Sequence, residues 1–350
     1  NLSLNDWYDF NWSKITASVP GLKDQFGGSL QLSGDGTKLV VSAHQADGFN
    51  DLYNNSGELY FYSLNKNTHG GTVQHNLEGI AGRGYTGGKN VDFGQGDGDK
   101  IGTSIALNRF GDRLAIGLVQ GDGKNNVSIN SGEAWLIKFD DTNFTGAQRV
   151  AKIGKGFTGT NNISVDELQN WDFLGGSISM SDDATQLVVG ARSFDGFNDW
   201  GSNYGGALLF SFADSNWTNG NLVGRIGKGY TGSKNISINL NDSPSDTFGL
   251  ASAISGDGSK LLISAPAADG KNNLYEDSGE VWGFSFTDSI FSDGNQSLRL
   301  GKGHTTEENS NFSLDHLENG SKFGGSLAIH KDYIAVGQSG GIVSIYKFNE

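Results

Sequence analysis

The stretch Phe26-Gly27-Gly28-Ser29-Leu30-Gln31-Leu32-Ser33-Gly34-Asp35-Gly36-Thr37-Lys38-Leu39-Val40-Val41-Ser42-Ala43 decides the architecture. Residues 28–32 alternate as a half-buried strand does. Residues 33–37 make a tight turn on Asp-Gly, and 39–43 are an apolar run of strand length. After a long polar loop, Glu58-Leu59-Tyr60-Phe61-Tyr62 is a third strand and Asn76-Leu77-Glu78-Gly79-Ile80 a weaker fourth. The pattern then returns with entry points at Phe26, Ile101, Phe173, Phe248 and Phe323, spaced by 75, 72, 75 and 75 residues. A fixed period of this length means repeated supersecondary units that bury their faces against one another. No segment holds a helical apolar period, and 54 Gly oppose helices. Four antiparallel strands per repeat, arranged radially, describe a propeller blade.

Residues 1–350 are therefore expected to form one all-β domain, a five-bladed β-propeller of four-stranded antiparallel blades. The fifth repeat supplies only three strands (residues 325–329, 333–337 and 342–346) before the chain stops at Glu350. Residues 1–25 are the expected closing segment. Ser13-Lys14-Ile15-Thr16-Ala17-Ser18-Val19 is the strand that closes the ring, from the same molecule or a neighbouring one. Asn1-Leu2-Ser3-Leu4 matches Asn162-Ile163-Ser164-Val165, Asn235-Ile236-Ser237-Ile238 and Asn311-Phe312-Ser313-Leu314, so the chain begins partway through a repeat. With a first residue other than Met, a processed chain or a piece of a longer one is expected.

Composition bounds the function. A net charge of −14 leaves no basic stripe to neutralise phosphates, which excludes nucleic acid as a partner. No apolar run approaches transmembrane length, so no membrane insertion is expected. Zero Cys removes disulfides, zinc–thiolate sites and thiol catalysis, and fits a secreted or cell-surface protein of bacterial type.

Phe248-Gly249, Ser255-Gly256-Asp257-Gly258, Ile263-Ser264-Ala265-Pro266, Asp269-Gly270 and Ser278-Gly279-Glu280-Val281 together resemble the Phe-Gly/Gly-Ala-Pro repeat. That repeat builds the propeller of integrin α subunits and recurs in large bacterial surface and adhesin proteins. The Gly-Lys-Gly-(Tyr/Phe)-Thr-Gly and Asn-Ile-Ser elements look closer to the bacterial versions. The resemblance runs from about Phe26 to Phe348 and implies an adhesion or binding role. Its Gly-Ala-Pro element is degenerate here, with Pro only at Pro266. The family's acidic calcium loop between the first two strands is missing, because turns such as Ser33-Gly34-Asp35-Gly36 are too short to wrap the ion.

In a blade, the second-to-third loop and the connection to the next blade emerge on one face. Both are long here, and long loops on a rigid scaffold are where binding resides. Three sets of residues lie on them. The first is Asp-Gly-x-Asn: Asp47, Asn50 and Asp51; Asp122; Asp195, Asn198 and Asp199; Asp269 and Asn272. It is either a calcium site of hard oxygen ligands or a set of turns held by Asp and Asn side chains. The second is a recurring cation between two glycines, Arg83, Lys155, Lys228 and Lys302, which either draws an acidic ligand or pairs with a neighbouring loop. The third is aromatic, Tyr53, Trp171, Trp200, Tyr204 and Tyr275, suited to stacking on sugars, to anchoring an interface, or to covering gaps between blades. The aromatic set differs from blade to blade, which a single specific site requires.

The expectation is a non-enzymatic module that binds a glycan or a protein outside the cell. One alternative is a structural subunit that polymerises with itself by strand addition across the fifth blade. The other is a five-bladed glycoside hydrolase. The acidic residues are mostly repeat positions, whereas catalysis needs carboxylates in unlike environments.

Overall fold

A computed structural model describes residues 15, 23–65, 73–197, 203–240, 246–304 and 311–347. The first blade is β1 (Phe26–Leu32), β2 (Lys38–Ala43), β3 (Glu58–Asn65) and β4 (Gln74–Gly82), antiparallel and in sequence order. The second is β5 (Ile101–Leu107), β6 (Arg113–Leu118), β7 (Glu133–Lys138), β8 (Gln148–Gly154) and β9 (Ile163–Ser164). The third is β10 (Leu174–Met180), β11 (Gln186–Ala191), β12 (Gly206–Ser211), β13 (Asn221–Gly227) and β14 (Ile236–Ser237). The fourth is β15 (Ser252–Ile254), β16 (Lys260–Ala265), β17 (Glu280–Ser285), β18 (Asn295–Gly301) and β19 (Asn311–Ser313). The fifth is β20 (Ser326–His330), β21 (Tyr333–Gln338) and β22 (Ile342–Lys347). The chain is an all-β, five-bladed propeller.

The expectation of four strands per blade needs one correction. Blades 2 to 4 each carry a fifth, short strand that pairs parallel to the fourth. The Asn of the Asn-Ile-Ser element causes it. Asn162 Oδ1 accepts the Lys152 N–H at 2.8 Å, and Asn235 Oδ1 accepts the Arg225 N–H at 3.0 Å. This side chain mimics a strand neighbour and draws the connection onto the blade edge. Asn90 does the same for Ile80 in blade 1 at 2.9 Å, where the pairing stops at the single bridge of Ala81 to Val91.

Blades pack face to face through apolar clusters. Between the first two, Leu59 and Phe61 of β3 meet Ile105 and Leu107 of β5 and Trp135 of β7, all buried. Phe61 lies edge-on to Phe139 and stacks on Phe144 at 5.0 Å. The Gly that precedes the third strand in each of blades 1 to 4 lets the next blade approach. Gly132 has φ 83°, and a Cβ there would sit 2.1 Å from the Leu174 carbonyl. That close approach forms the bridge of Gly132 to Leu174, repeated as Gly205 to Phe248.

The seam between blades 5 and 1 differs. Val343 and Ile345 of β22 match Leu59 and Phe61 in register, yet are 65% and 71% exposed. Leu30 across the seam is 59% exposed. Ile15 packs on the blade 1 side, against the cluster of Val41, Ala43, Tyr60 and Tyr62. The rest of the expected closing strand, residues 13–19, lies outside the described residues, as does most of 1–25.

Candidate functional site

The long loops share one face and are stitched together by backbone hydrogen bonds. In each of four blades the residue after Asp-Gly donates its N–H to the carbonyl of the recurring cation. The pairs are Phe49 to Arg83 (2.9 Å), Lys124 to Lys155 (3.0 Å), Phe197 to Lys228 (3.2 Å) and Lys271 to Lys302 (3.0 Å). The repeated aspartate closes its own loop eight residues on. Asp47 Oδ1 accepts the Asn55 N–H, Asp122 that of Asn130 and Asp195 that of Asn203, each at 2.7 Å, and Asp269 that of Asp277 at 2.8 Å. Asn50 and Asn272 sit at φ 58° and 59°, the left-handed region that Asn tolerates best after Gly. Asp51 follows at φ 56°.

This geometry fits a loop staple. Calcium takes about six to eight oxygens, and among the described residues no three acidic or histidine side chains converge. Asn198, Asp199 and Trp200 lie outside the described residues.

The cationic and aromatic sets, separate in sequence, come together in three blades. The Arg83 guanidinium lies 4.6 Å over the Tyr53 ring and pairs with Asp97 at 2.6 Å. Lys302 sits 5.2 Å over Tyr275 and donates to the Leu317 carbonyl. Lys228 is 3.9 Å over Tyr204, which is buried. These pairs hold loops to one another.

Blade 2 breaks the pattern. Tyr53 and Tyr275 each donate a backbone N–H to the repeated aspartate's carbonyl; the residue making that bond in blade 2 is Ser128. No ring lies beneath Lys155, which donates to the carbonyls of Asp166 and Leu168, the latter the match of the Leu317 carbonyl that Lys302 reaches. A groove of about 680 Å³ opens there between blades 2 and 3. Its walls include Ser128, Glu167, Phe197, Arg225, Tyr230 and Asn235. Phe197 meets Tyr230 edge-on at 6.1 Å. Trp171 follows the lining residue Asn170 at φ 73°; its N–H bonds the Ile129 carbonyl at 2.9 Å, and its side chain is 53% exposed. Of the predicted residues, Lys155 lines this groove and Trp171 adjoins it, while Tyr53, Tyr204, Tyr275, Arg83, Lys228 and Lys302 belong to the loop pairs.

Sequence reasoning missed the buried glutamates that open the third strands. Glu58 accepts from the Tyr60 hydroxyl at 2.5 Å and the Tyr85 hydroxyl at 3.0 Å. Glu133 accepts from Trp135 Nε1 at 2.6 Å and the Gly123 N–H at 3.0 Å. Glu280 meets Arg299 at 2.7 Å and His304 at 2.6 Å. Burial pushes the carboxyls of Glu58 and Glu133 above the usual range. Blade 3 has Gly206 at this position. Its Arg225 reaches instead to Glu167 on the groove wall, at 2.6 Å. The recurring Ser-Gly-Glu was the available signal, and its interruption at Tyr204-Gly205-Gly206 marked the odd blade.

An FG-GAP repeat family model matches residues 11–62. No curated protein matches the chain by sequence. Among solved structures, the chain is similar to a periplasmic gluconolactonase of Pseudomonas aeruginosa, PpgL, at 12% identity and a TM-score of 0.50. That match covers 92% of this chain and 68% of that one. It is also similar to Sqt1 from Chaetomium thermophilum at 11% identity and a TM-score of 0.44, covering 94% of this chain and 57% of that one. The chain thus spans little more than half the length of Sqt1. The gluconolactonase likeness speaks to the fold alone. The matched first repeat, the entry recurring as Phe26-Gly27, Ile101-Gly102, Leu174-Gly175, Phe248-Gly249 and Phe323-Gly324, and the five blades around one axis make this chain a propeller of FG-GAP-like repeats.

Proposed function

We propose that the chain is a non-catalytic binding module, secreted or held at a cell surface, whose ligand is a glycan seated between blades 2 and 3. The observation that carries this is the Arg225–Glu167 pair, set on the groove wall with its side chains 27% and 34% exposed. A planar guanidinium and a carboxylate side by side offer a hydroxyl-rich ligand donors and acceptors in fixed geometry. Phe197 and Trp171, both exposed, add aromatic faces for the apolar face of a sugar ring. The test is a glycan array followed by calorimetry on the best hit. Arg225→Ala and Phe197→Ala should each weaken binding by about tenfold, of the size expected for losing one anchoring contact. Unchanged affinity in both would sink the proposal; a hit list of proteins only would replace the glycan with an extended peptide.

A second proposal rests on β22, whose outer edge has no strand partner among the described residues and whose Val343 and Ile345 are exposed. Strand addition there would join copies of the chain into a polymer. Sedimentation over a range of concentrations decides it: a constant monomer rules assembly out.

A further inference from the structure

The opposite end of the axis carries a second cavity, independent of the groove between blades 2 and 3. Leu32, Leu107, Met180, Ile254 and Ile329 hold the same register position in β1, β5, β10, β15 and β20, one from each blade. All five line a cavity of about 650 Å³ at the tight-turn end of the propeller. Leu107 and Ile254 are buried, Met180 and Ile329 half-buried, and Leu32 is 45% exposed. The cavity is thus lined by a ring of aliphatic side chains, of which Leu32, Met180 and Ile329 keep surface open to water, at a size ordinary for small-molecule sites.

The rim above this collar is charged, and its charges are unequally used. Asp257 Oδ1 accepts from the Ser255 hydroxyl and from the Ser259 hydroxyl and N–H, at 2.6 to 3.0 Å. Asp182 faces Arg109 at a long 3.4 Å, through a single Nη1. Asp332 and Lys260 also line the cavity, as do His330 and Lys331. Nothing among the described residues pairs with Lys331, and Arg109 keeps most of its donors unengaged. An acidic chain has therefore placed incompletely neutralised cations over an apolar ring.

We propose that this cavity binds an aliphatic carboxylate, its chain on the five-residue collar and its headgroup toward Arg109 and Lys331. Apolar burial supplies the affinity and the cations select the anionic end.

Octanoate, octanol and octylamine titrated separately into the intact chain, followed by calorimetry, test this. Octanoate should saturate one site and bind more tightly than either partner of the same chain length. Lys331→Glu, an exposed change, should weaken octanoate by about tenfold, a charge reversal being worth roughly 1.4 kcal/mol. Met180→Asp should abolish binding of octanoate, because a carboxylate in the collar repels the ligand and leaves a buried charge. Arg225→Ala, on the other face, should leave octanoate binding unchanged. No octanoate binding to the intact chain overturns the proposal. So does octanol binding as tightly as octanoate, or a Lys331→Glu variant with undiminished affinity. Failure of the groove shows instead in the glycan titrations, which use separate residues.

Discussion

In blade 4, Glu280 is 1% exposed and accepts from both Arg299 and His304. In blade 3, Gly206 stands at that register position, and Arg225, the match of Arg299, turns outward to Glu167. The two arginines sit on equivalent strands at nearly the same distance from a carboxylate, 2.6 and 2.7 Å. The pair in blade 4 is nearly inaccessible and that in blade 3 is part-exposed on the groove wall. A single missing side chain has moved an ion pair from scaffold to surface. Within a repeat protein, such departures from the repeat are where specificity can arise, because every position obeying the repeat is shared by all blades.

The largest effect that would break this comparison is on stability. Glu280→Ala strands Arg299 and His304 without their carboxylate and should cost about 3–5 kcal/mol, read from urea unfolding. Arg225→Ala removes a part-exposed pair and should cost less, about 1 kcal/mol. Equal costs would mean that burial does not distinguish the two. Gly132→Ala should fall between them at about 1–3 kcal/mol, since its positive φ and the Leu174 carbonyl both oppose a side chain.

A pH series sharpens the same contrast. Burial raises the carboxyls of Glu58 and Glu133, so folded chains hold those protons more tightly than unfolded ones. Their contribution is fully present below the unfolded value of about 4.3. It is lost as pH rises through the raised folded values, because the folded state binds more protons across that window. From about pH 4.3 upward this component of stability should therefore decline, opposed by His44, whose imidazole burial pulls below its ordinary value so that its share rises with pH. Glu133→Gln should flatten part of that decline; parallel wild-type and variant profiles by thermal melting would count against it. Blade 3, with Gly206 in place of the glutamate, contributes nothing of this kind.

How much of this was legible in the sequence follows from what repeats. The strands, the tight turns between first and second strands and the long-loop face recur in register, and periodicity exposes them directly. The pairing of cation with aromatic was not legible. Arg83 and Tyr53 lie thirty residues apart in sequence, and only blade geometry stacks them. The extra outer strand was half visible, in Asn-Ile-Ser motifs whose Asn side chains do the pairing. The groove was least visible, because it arises from two absences, of a tyrosine at Ser128 and of a glutamate at Gly206. Periodicity records what is shared and passes over what one blade lacks.

The calcium reading of the Asp-Gly-x-Asn loops is tested by chelation. Aspartates that already bond their own loop backbones should leave the melting temperature unmoved when a chelator is added. A drop of several degrees would restore calcium to these loops.

The substitution with the smallest expected stability effect is also the most pointed test of the groove. Ser128→Tyr restores what Tyr53 and Tyr275 do in their blades, placing a ring beneath Lys155. The backbone there already makes the same bond to the repeated aspartate, at 2.9 Å against 2.7 and 2.8 Å, so the loop needs no new conformation. A new cation–π pair is worth about 0.5–1 kcal/mol at an exposed site, which bounds any gain in stability. The ring would fill the groove between blades 2 and 3, and glycan binding should disappear while octanoate binding on the other face persists. Glycan binding that survives the tyrosine would place the ligand elsewhere on the long-loop face.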